Sequence, residues 1–285
     1  MNAKTFGSWE DAVAWLLDQP EHRALCQACY YDRPAYAAAQ RFWGSDEWQA
    51  LRALMPSRAG TALDVGAGMG VASYALARDG WRTTALEPDG SQLVGAGAIR
   101  SLASAAGLTI EVVQEWGESL PFADASFDLV HARQVLHHAR DLPRFCRELQ
   151  RVLKPGGLLL ATREHVISSA AQLPTFLANH PLHNLYGGEN AFTLASYLEA
   201  IRGAGLQMQR QWGPLQTVIN YAPFTEASLA GEIARRAARL PGGALVARLM
   251  LASPWRRHAL SLLSRLDRRP GRLHTFIAQR PLLDH

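Results

Sequence analysis

Lysine is nearly missing from this chain of 285 residues: only Lys4 and Lys154 occur, so arginine carries almost all the positive charge. Cysteine is scarce too, with Cys26, Cys29 and Cys146 alone. Cys26 and Cys29 form a CxxC, but a structural zinc site takes four ligands. Neither a second CxxC nor a CxxxH completes one, so no metal is expected, and ALCQACYY reads as helix. A low, odd cysteine count fits a reducing compartment. No stretch approaches the length of apolar sequence that a membrane-spanning helix needs. The start, MNAKTFGSWEDAVAWLL, lacks a basic region followed by an apolar core, so no secretory signal is expected and the expected location is cytoplasmic. Internal repeats and low-complexity linkers are also missing.

What is present is ordinary for a globular protein: 48% hydrophobic and 19% charged residues, in a length that suits one large domain with additions. The charge is uneven. Between Glu232 and Arg280 there are 11 arginines against two acids, or +9, so the total of +4 leaves −5 for the rest. Such asymmetry points to an anionic partner for the C-terminal part.

Residues 1–58 read as helical, with apolar positions recurring at three and four residues. From Gly60 the pattern changes to short apolar runs alternating with helical stretches. TALDVGAG, TTALEPD, LTIEVVQEW, FDLVHARQ and LLLATREH are the strands. VASYALARDG, SQLVGAGAIRSLASAAG and LPRFCRELQRVLKPGG are the helices. This alternation implies a parallel sheet covered on both faces. FTLASYLEAIRGAG, 192–205, reads as another helix, LQMQRQWGPLQTVI as a sixth strand and LHTFIAQRP, 273–281, as a terminal strand. The expected organisation is an N-terminal helical cap (1–58), a core (59–220), a basic helical insert acting as cap (221–270) and a final core strand (271–285).

The stretch ALDVGAGMG, 62–70, sets the functional question. A dinucleotide fingerprint, GxGxxG, needs a third glycine where Val71 stands. A phosphate-binding P-loop needs a lysine followed by serine or threonine, and none is present. A loop built for close backbone approach by a compact ligand is left. Glu87 lies 17 residues after Gly70, at the end of the second strand, where an acid can accept from both hydroxyls of a ribose. A nucleoside without a phosphate grip fits S-adenosylmethionine.

The ordered set ALDVGAGMG…ALEPD…GESLPFADASFDLVHARQVLHH…LQRVLKPGGLLLATR resembles the class I S-adenosylmethionine-dependent methyltransferases over residues 60–165, with matching element order to 220 and in the last strand. The resemblance implies an α/β fold: a Rossmann-like, doubly wound, mostly parallel seven-stranded sheet with an antiparallel last strand, here with a helical cap. It implies that Asp64 orders the glycine turn and the methionine amino group. Gly66, Ala67 and Gly68 would pass under the methionine and ribose, Glu87 would hold the ribose, and Pro88 would lie beside the adenine. Asp64 as a helix cap and Glu87 as a solvated turn residue are the alternatives. Where the family usually carries an acid before LPF, this chain has Trp116, flanked by Glu115 and Gly117. Trp116 stacks on the adenine in one reading and is a core residue in the other.

Methyl transfer asks for alignment, exclusion of water and sometimes removal of a proton. Candidate bases lie after the fourth and fifth strands. His165 is the first, its ordinary pKa suiting neutral pH; His131, placed beside the cofactor, and His137 follow. His137 and the adjacent His138 also read as helix-packing residues. Arg133, Gln134, His183, Tyr186 and Asn190 are the candidate acceptor contacts, with a turn-rich surface loop as the alternative for 179–190.

The N-terminal helices, the 168–192 loop and the basic insert are expected to meet over the pocket. The arginines suggest an anionic acceptor, small or lipid-linked, with O-methylation favoured because a histidine is available to deprotonate it. WRRHALSLLSRLDRR also has the composition of an interfacial helix, so peripheral membrane contact is an expectation. No nucleic-acid module is visible, and the oligomeric state is not legible. The rival readings are non-methyl chemistry with the same cofactor, such as cyclisation or aminocarboxypropyl transfer, and a catalytically silent cofactor-binding subunit.

Overall fold

The computed structural model describes residues 5–31 and 33–282. The predicted segments 1–58 and 271–285 therefore reach outside the described residues at 1–4, 32 and 283–285. Four helices come first: α1 (Trp9–Leu17), α2 (Arg23–Ala28), α3 (Ala35–Trp43) and α4 (Asp46–Arg52). Alternation follows with β1 (Thr61–Val65), α5 (Val71–Arg78), β2 (Arg82–Leu86), α6 (Ala96–Ala106), β3 (Ile110–Val113), β4 (Phe127–Arg133), α7 (Leu142–Val152) and β5 (Leu153–Ile167). Next are α8 (Leu173–Asn179), β6 (Phe192–Thr193), α9 (Leu194–Gly203) and β7 (Gln207–Trp212). The chain then runs through α10 (Val218–Tyr221), α11 (Glu226–Ala237), α12 (Ala244–Leu251) and α13 (Ser253–Leu266) before returning as β8 (Arg272–Gln279).

The sheet runs β3-β2-β1-β4-β5-β8-β7, with β6 paired in parallel to the end of β5. β8 is antiparallel to both β5 and β7. The expected order is thus present, with one short strand, β6, that the sequence pattern did not reveal. Strand order reverses between β1 and β4, so the crevice beyond their carboxyl ends is where a ligand fits.

Two hydrophobic layers clamp the sheet. On one side α7 and α9 bury Phe145, Leu149, Tyr197 and Ile201. On the other, α3, α4 and α5 bury Phe42, Trp48, Leu51, Ala75 and Leu76 against Ala62, Leu129 and Ile277. Trp48 is fully buried and donates its ring N–H to Asp79, which also takes the Arg52 guanidinium. Thus α3 and α4 are part of the sheet's cover. Only α1 and α2 lie over the 168–192 region, packing Leu16 and Cys26 against Leu182 and Leu185. The insert packs α11, α12 and α13 on one another and on Leu215 and Tyr221.

Element limits differ from the sequence reading where backbone chemistry overrides hydrophobic pattern. The predicted helix 142–157 stops at Val152, and Lys154–Gly157 already belong to β5. The predicted strand 206–219 ends at Trp212: Gly213–Pro214 breaks it, and Thr217 caps α10.

Candidate functional site

β1 ends in the glycine loop. Gly66, Gly68 and Gly70 all have positive φ (61°, 56° and 88°), a region open to glycine at little cost. Their surroundings differ. A Cβ on Gly66 would strike Val135 at 2.6 Å, and one on Gly70 would press Ile99 at 3.1 Å. A Cβ on Gly68 would meet nothing within 4 Å. Gly66 and Gly70 are therefore glycines for packing, and Gly68 for the open space beside it. Ala67 fixes the loop to the next strand by donating its N–H to the Leu86 carbonyl.

Glu87 closes this space from the β2 side. Gly68 N–H donates to its Oε2 at 2.7 Å and Asp89 N–H to its Oε1 at 3.0 Å. Burial pushes its carboxyl up to about 7 despite those two bonds, and Asp89 and Asp64 add to the effect. A buried carboxylate with one donor per oxygen keeps lone pairs for further donors. Open space over Gly68 and spare acceptor capacity at Glu87 fit a ribose-bearing ligand. Pro88 is partly exposed beside them.

Asp64 sits under the loop, 2% exposed. Its Oδ2 accepts from Ser73 Oγ on α5 at 2.6 Å and its Oδ1 faces His131 Nδ1 at 2.8 Å. It ties β1 to β4 and α5. The helix-cap alternative does not match this arrangement, since both of its partners are side chains. His131 is fully buried against Trp48, ring centroids 6.4 Å apart. The expectation that it stands beside the cofactor and can act as a base is corrected: its ring lies within the core, behind Asp64.

After β4, the loop turns through Gln134 at φ 58° and is held by one carboxylate. Glu164, fully buried on β5, accepts the backbone N–H groups of Val135, Leu136 and His137, and faces His137 Nδ1 at 2.8 Å. The other nitrogen of His137 points to Glu189, Nε2 to Oε2 3.4 Å. Burial alone would lower its pKa, but the two carboxylates overcome this and raise it to about 9. Glu189, which burial would raise, is instead drawn down to about 2 by His137. His137 is thus a held cation, unsuited to accept a proton.

His165 on β5 is 8% exposed, and its Nδ1 donates to the Gly271 carbonyl at 2.9 Å. Burial, and then the His137 charge beside it, lower it to about 3. Its Nε2 keeps a lone pair, but of weak basicity, which corrects the expectation of a base tuned to neutral pH.

Arg133 was expected to meet an acceptor. It is spent inside the fold: Nε and Nη2 donate to Glu47 at 2.8 and 3.2 Å, and its guanidinium lies over Tyr30 and Phe42. Gln134 accepts from the same guanidinium at 3.1 Å. Trp116 is 62% exposed, with the Arg140 guanidinium over its ring at 5.7 Å, so the core alternative falls. Glu115 is exposed beside it. Gly117 abuts α7, where a Cβ would meet Phe145 at 2.3 Å, so its small size serves packing. In the 179–190 loop, Tyr186 is exposed and packs on Trp9, His183 Nδ1 is buried without a hydrogen-bond partner, and Asn190 is half-buried.

The sequence reading passed over Glu47, Glu164 and Glu189. Two gave a signal: Glu164 continues the apolar strand run LLLAT, and Glu47 sits next to Trp48 at the head of EWQALRALM, and an acid buried with such neighbours needs a partner.

Comparison with known proteins gives four matches. A family model described as "Methyltransferase domain" matches residues 63–161. An uncharacterized methyltransferase of a Mycobacterium species is 39% identical over 114 residues, 40% of this chain and 42% of that protein. A ubiquinone biosynthesis O-methyltransferase of Azorhizobium caulinodans is 30% identical over 61% of this chain and 67% of its own length. Among solved structures, the [4+2]-cyclase SpnF is similar with a TM-score of 0.56 at 23% identity, over 87% of this chain and 82% of that one. The chain spans less than half of the first curated relative it matches.

Proposed function

We propose, for a chain that belongs to the class I S-adenosylmethionine-dependent methyltransferase family, that it moves the methyl group of S-adenosylmethionine to an oxygen of a small or lipid-linked, anionic acceptor. The observation that carries the cofactor assignment is the pairing of Gly68, open on its Cβ side, with the buried Glu87 carboxylate. When bound, the cofactor supplies a methyl group made electrophilic by its sulfonium.

The chain's own residues position and exclude. The main chain at Gly68 lets a ligand approach where a side chain would stand in the way. Glu87 takes the ribose hydroxyls as a hydrogen-bond acceptor, and Trp116, exposed at the third strand tip, offers a flat apolar face for the adenine. Asp64 and Glu164 hold the two loops that form the floor.

Support for the acceptor class comes from the insert. Leu240, Leu245, Leu251, Trp255, Leu262 and Leu266 are all exposed on α11–α13 and their connections, alongside exposed Arg235, Arg236 and Arg257. Apolar and cationic side chains on one helical subdomain suit an acceptor with a greasy tail and an anionic head, or the lipid surface that carries it. The choice of oxygen is supported by the O-methyltransferase relative. It is no longer supported by a histidine base, since His137 is held charged and His165 is weakly basic. An acceptor that ionises readily by itself, a phenol or a carboxylic acid, fits this site better than an aliphatic alcohol.

A second reading keeps the cofactor for non-methyl chemistry, because the same fold serves a [4+2]-cyclase. The deciding experiment incubates the protein with methyl-labelled S-adenosylmethionine and phenolic or carboxylated acceptors, with and without a polyprenyl tail. Labelled acceptor together with S-adenosylhomocysteine supports the proposal. Methylthioadenosine in its place supports aminocarboxypropyl transfer. Tight cofactor binding with no turnover of any acceptor supports a silent subunit.

A further inference from the structure

The polar cluster at the ends of β4 and β5 has more order than a solvated edge requires. One ring nitrogen each of His137 and His165 and a Glu189 carboxylate oxygen converge, all within 4.8 Å of one another. Each imidazole is oriented by its far nitrogen. His137 Nδ1 faces Glu164 and His165 Nδ1 donates to the Gly271 carbonyl. A carbonyl oxygen only accepts, so in His165 the lone pair is fixed on Nε2, inside the cluster. Carboxylate and carbonyl partners behind the imidazoles are the arrangement that orients metal-binding histidines.

The third member points the same way. Glu189 Oε2 is buried with no hydrogen bond of acceptable geometry, although His137 Nε2 is only 3.4 Å away. The Glu189 charge is met by the His137 imidazolium, but the contact is longer than an ordinary N–H···O bond. Two ligands bound to one zinc ion at about 2.0–2.1 Å in tetrahedral geometry stand roughly 3.4 Å apart, so this contact has the spacing of a coordination edge. The widest ligand pair needs to close by at most about 1.4 Å, from the same metal–ligand distances. Glu189 follows Gly187 and Gly188, both in the left-handed region, on a loop outside the sheet.

We propose that His137, His165 and Glu189 form a site for a divalent transition-metal cation of the Zn2+ type. Two imidazoles and one carboxylate select such ions over Mg2+ and Ca2+, which take oxygen ligands. The cation takes the place of the Nε2 proton of His137, which leaves to solvent on binding. Three protein ligands leave a fourth position open. The ring of His180 lies 5.2 Å from that of His165 and its Nδ1 accepts the His183 N–H at 3.3 Å, so its Nε2 is the nitrogen left to complete the sphere or to bond to a water in it. A cavity of about 300 Å³ lined by His165, Phe176, His180 and Gly271 gives access from outside.

The test uses the full chain, stripped with a chelator and then titrated with Co2+ at neutral pH while the visible ligand-field absorption is followed. One Co2+ per chain is expected, displaced by one Zn2+, with Zn2+ retained through gel filtration. Glu189→Gln and His165→Asn should each weaken uptake on the order of 100-fold or more, while Cys29→Ser leaves it unchanged. Glu189→Gln alters a loop residue outside the sheet, so it decides the matter even if His165→Asn folds poorly. No stoichiometric uptake by the wild-type chain, uptake that survives both ligand variants, or uptake that disappears in Cys29→Ser would each overturn the proposal. Uptake is read without cofactor or acceptor, so the outcome is separate from that of the methyl-transfer proposal.

Discussion

Glu87 links cofactor affinity to pH, and the size of the effect follows from its surroundings. Burial holds its carboxyl at about 7 in the free protein. At pH 6 about one molecule in ten then carries the carboxylate, and at pH 8 about nine in ten, by the ordinary titration relation. If the ionised form is what accepts the ribose hydroxyls, binding should tighten roughly 10-fold between those two values. Stability of the free protein should move the other way. A pKa raised above its unfolded value of 4.5 gives a contribution that is complete below that value and is lost as pH rises through about 7. The assay is calorimetry with adenosine, which has no group titrating in this range, at pH 6, 7 and 8. Glu87→Gln should flatten the profile and cost about 1.5–3 kcal/mol at pH 8, the range for losing a hydrogen bond to a charged group. A flat wild-type profile, or a slope that persists in Glu87→Gln, refutes the reasoning.

Three further outcomes are expected. Gly68→Val should abolish binding of S-adenosylhomocysteine by filling the open space, while costing only about 1–2 kcal/mol of folding stability for a side chain at positive φ; retained binding by calorimetry would remove the cradle assignment. Glu47→Gln leaves the largely buried Arg133 without its charge partner and should cost about 3–5 kcal/mol in urea denaturation, whereas a loss below 1 kcal/mol would mean the pair is mainly solvated. The chain should co-sediment with anionic vesicles more than with neutral ones, in a salt-sensitive way, and Trp255→Ser combined with Leu262→Ser should reduce this; equal partition to both vesicle types would leave the insert's apolar side chains without a lipid role.

The fold was legible because its signals are local and repeated. Apolar runs ended by glycine, and helices stopped at Gly80 and Gly107, gave strand and helix order from 60 to 167. Gly66–Gly70 and Glu87 were legible for the same reason, since loop chemistry and strand ends are written in adjacent residues. What was not legible depended on which side chain faces which across the sheet. His131 lies within one predicted strand and His165 ends another, and nothing in the spacing says that one ring lies behind Asp64 and the other against Gly271. Arg133 read as a free cation because its partner, Glu47, is 86 residues earlier in the chain. The split of the first 58 residues, half sheet cover and half loop cover, also rests on contacts made far along the sequence, between Trp48 and Leu129 or between Leu16 and Leu182.

The buried acids at this edge of the sheet explain why Glu87 in particular is available to a ligand. Glu164 has two donors on each oxygen, which fills its acceptor capacity. Glu47 is matched by a guanidinium, and that partner overrides burial to lower its pKa. Asp64 is enclosed by Ser73 and His131. At Glu87 both donors are backbone N–H groups, neither carries a charge, and burial prevails. A desolvated carboxylate next to open space is the one that gains most from neutral hydroxyl donors, because they restore hydrogen bonds without adding charge. An acid at this strand end serves the ribose of a nucleoside and of a dinucleotide alike. Val71 in place of the third glycine, added to the missing P-loop lysine, is what favours a nucleoside over a nucleotide in this crevice.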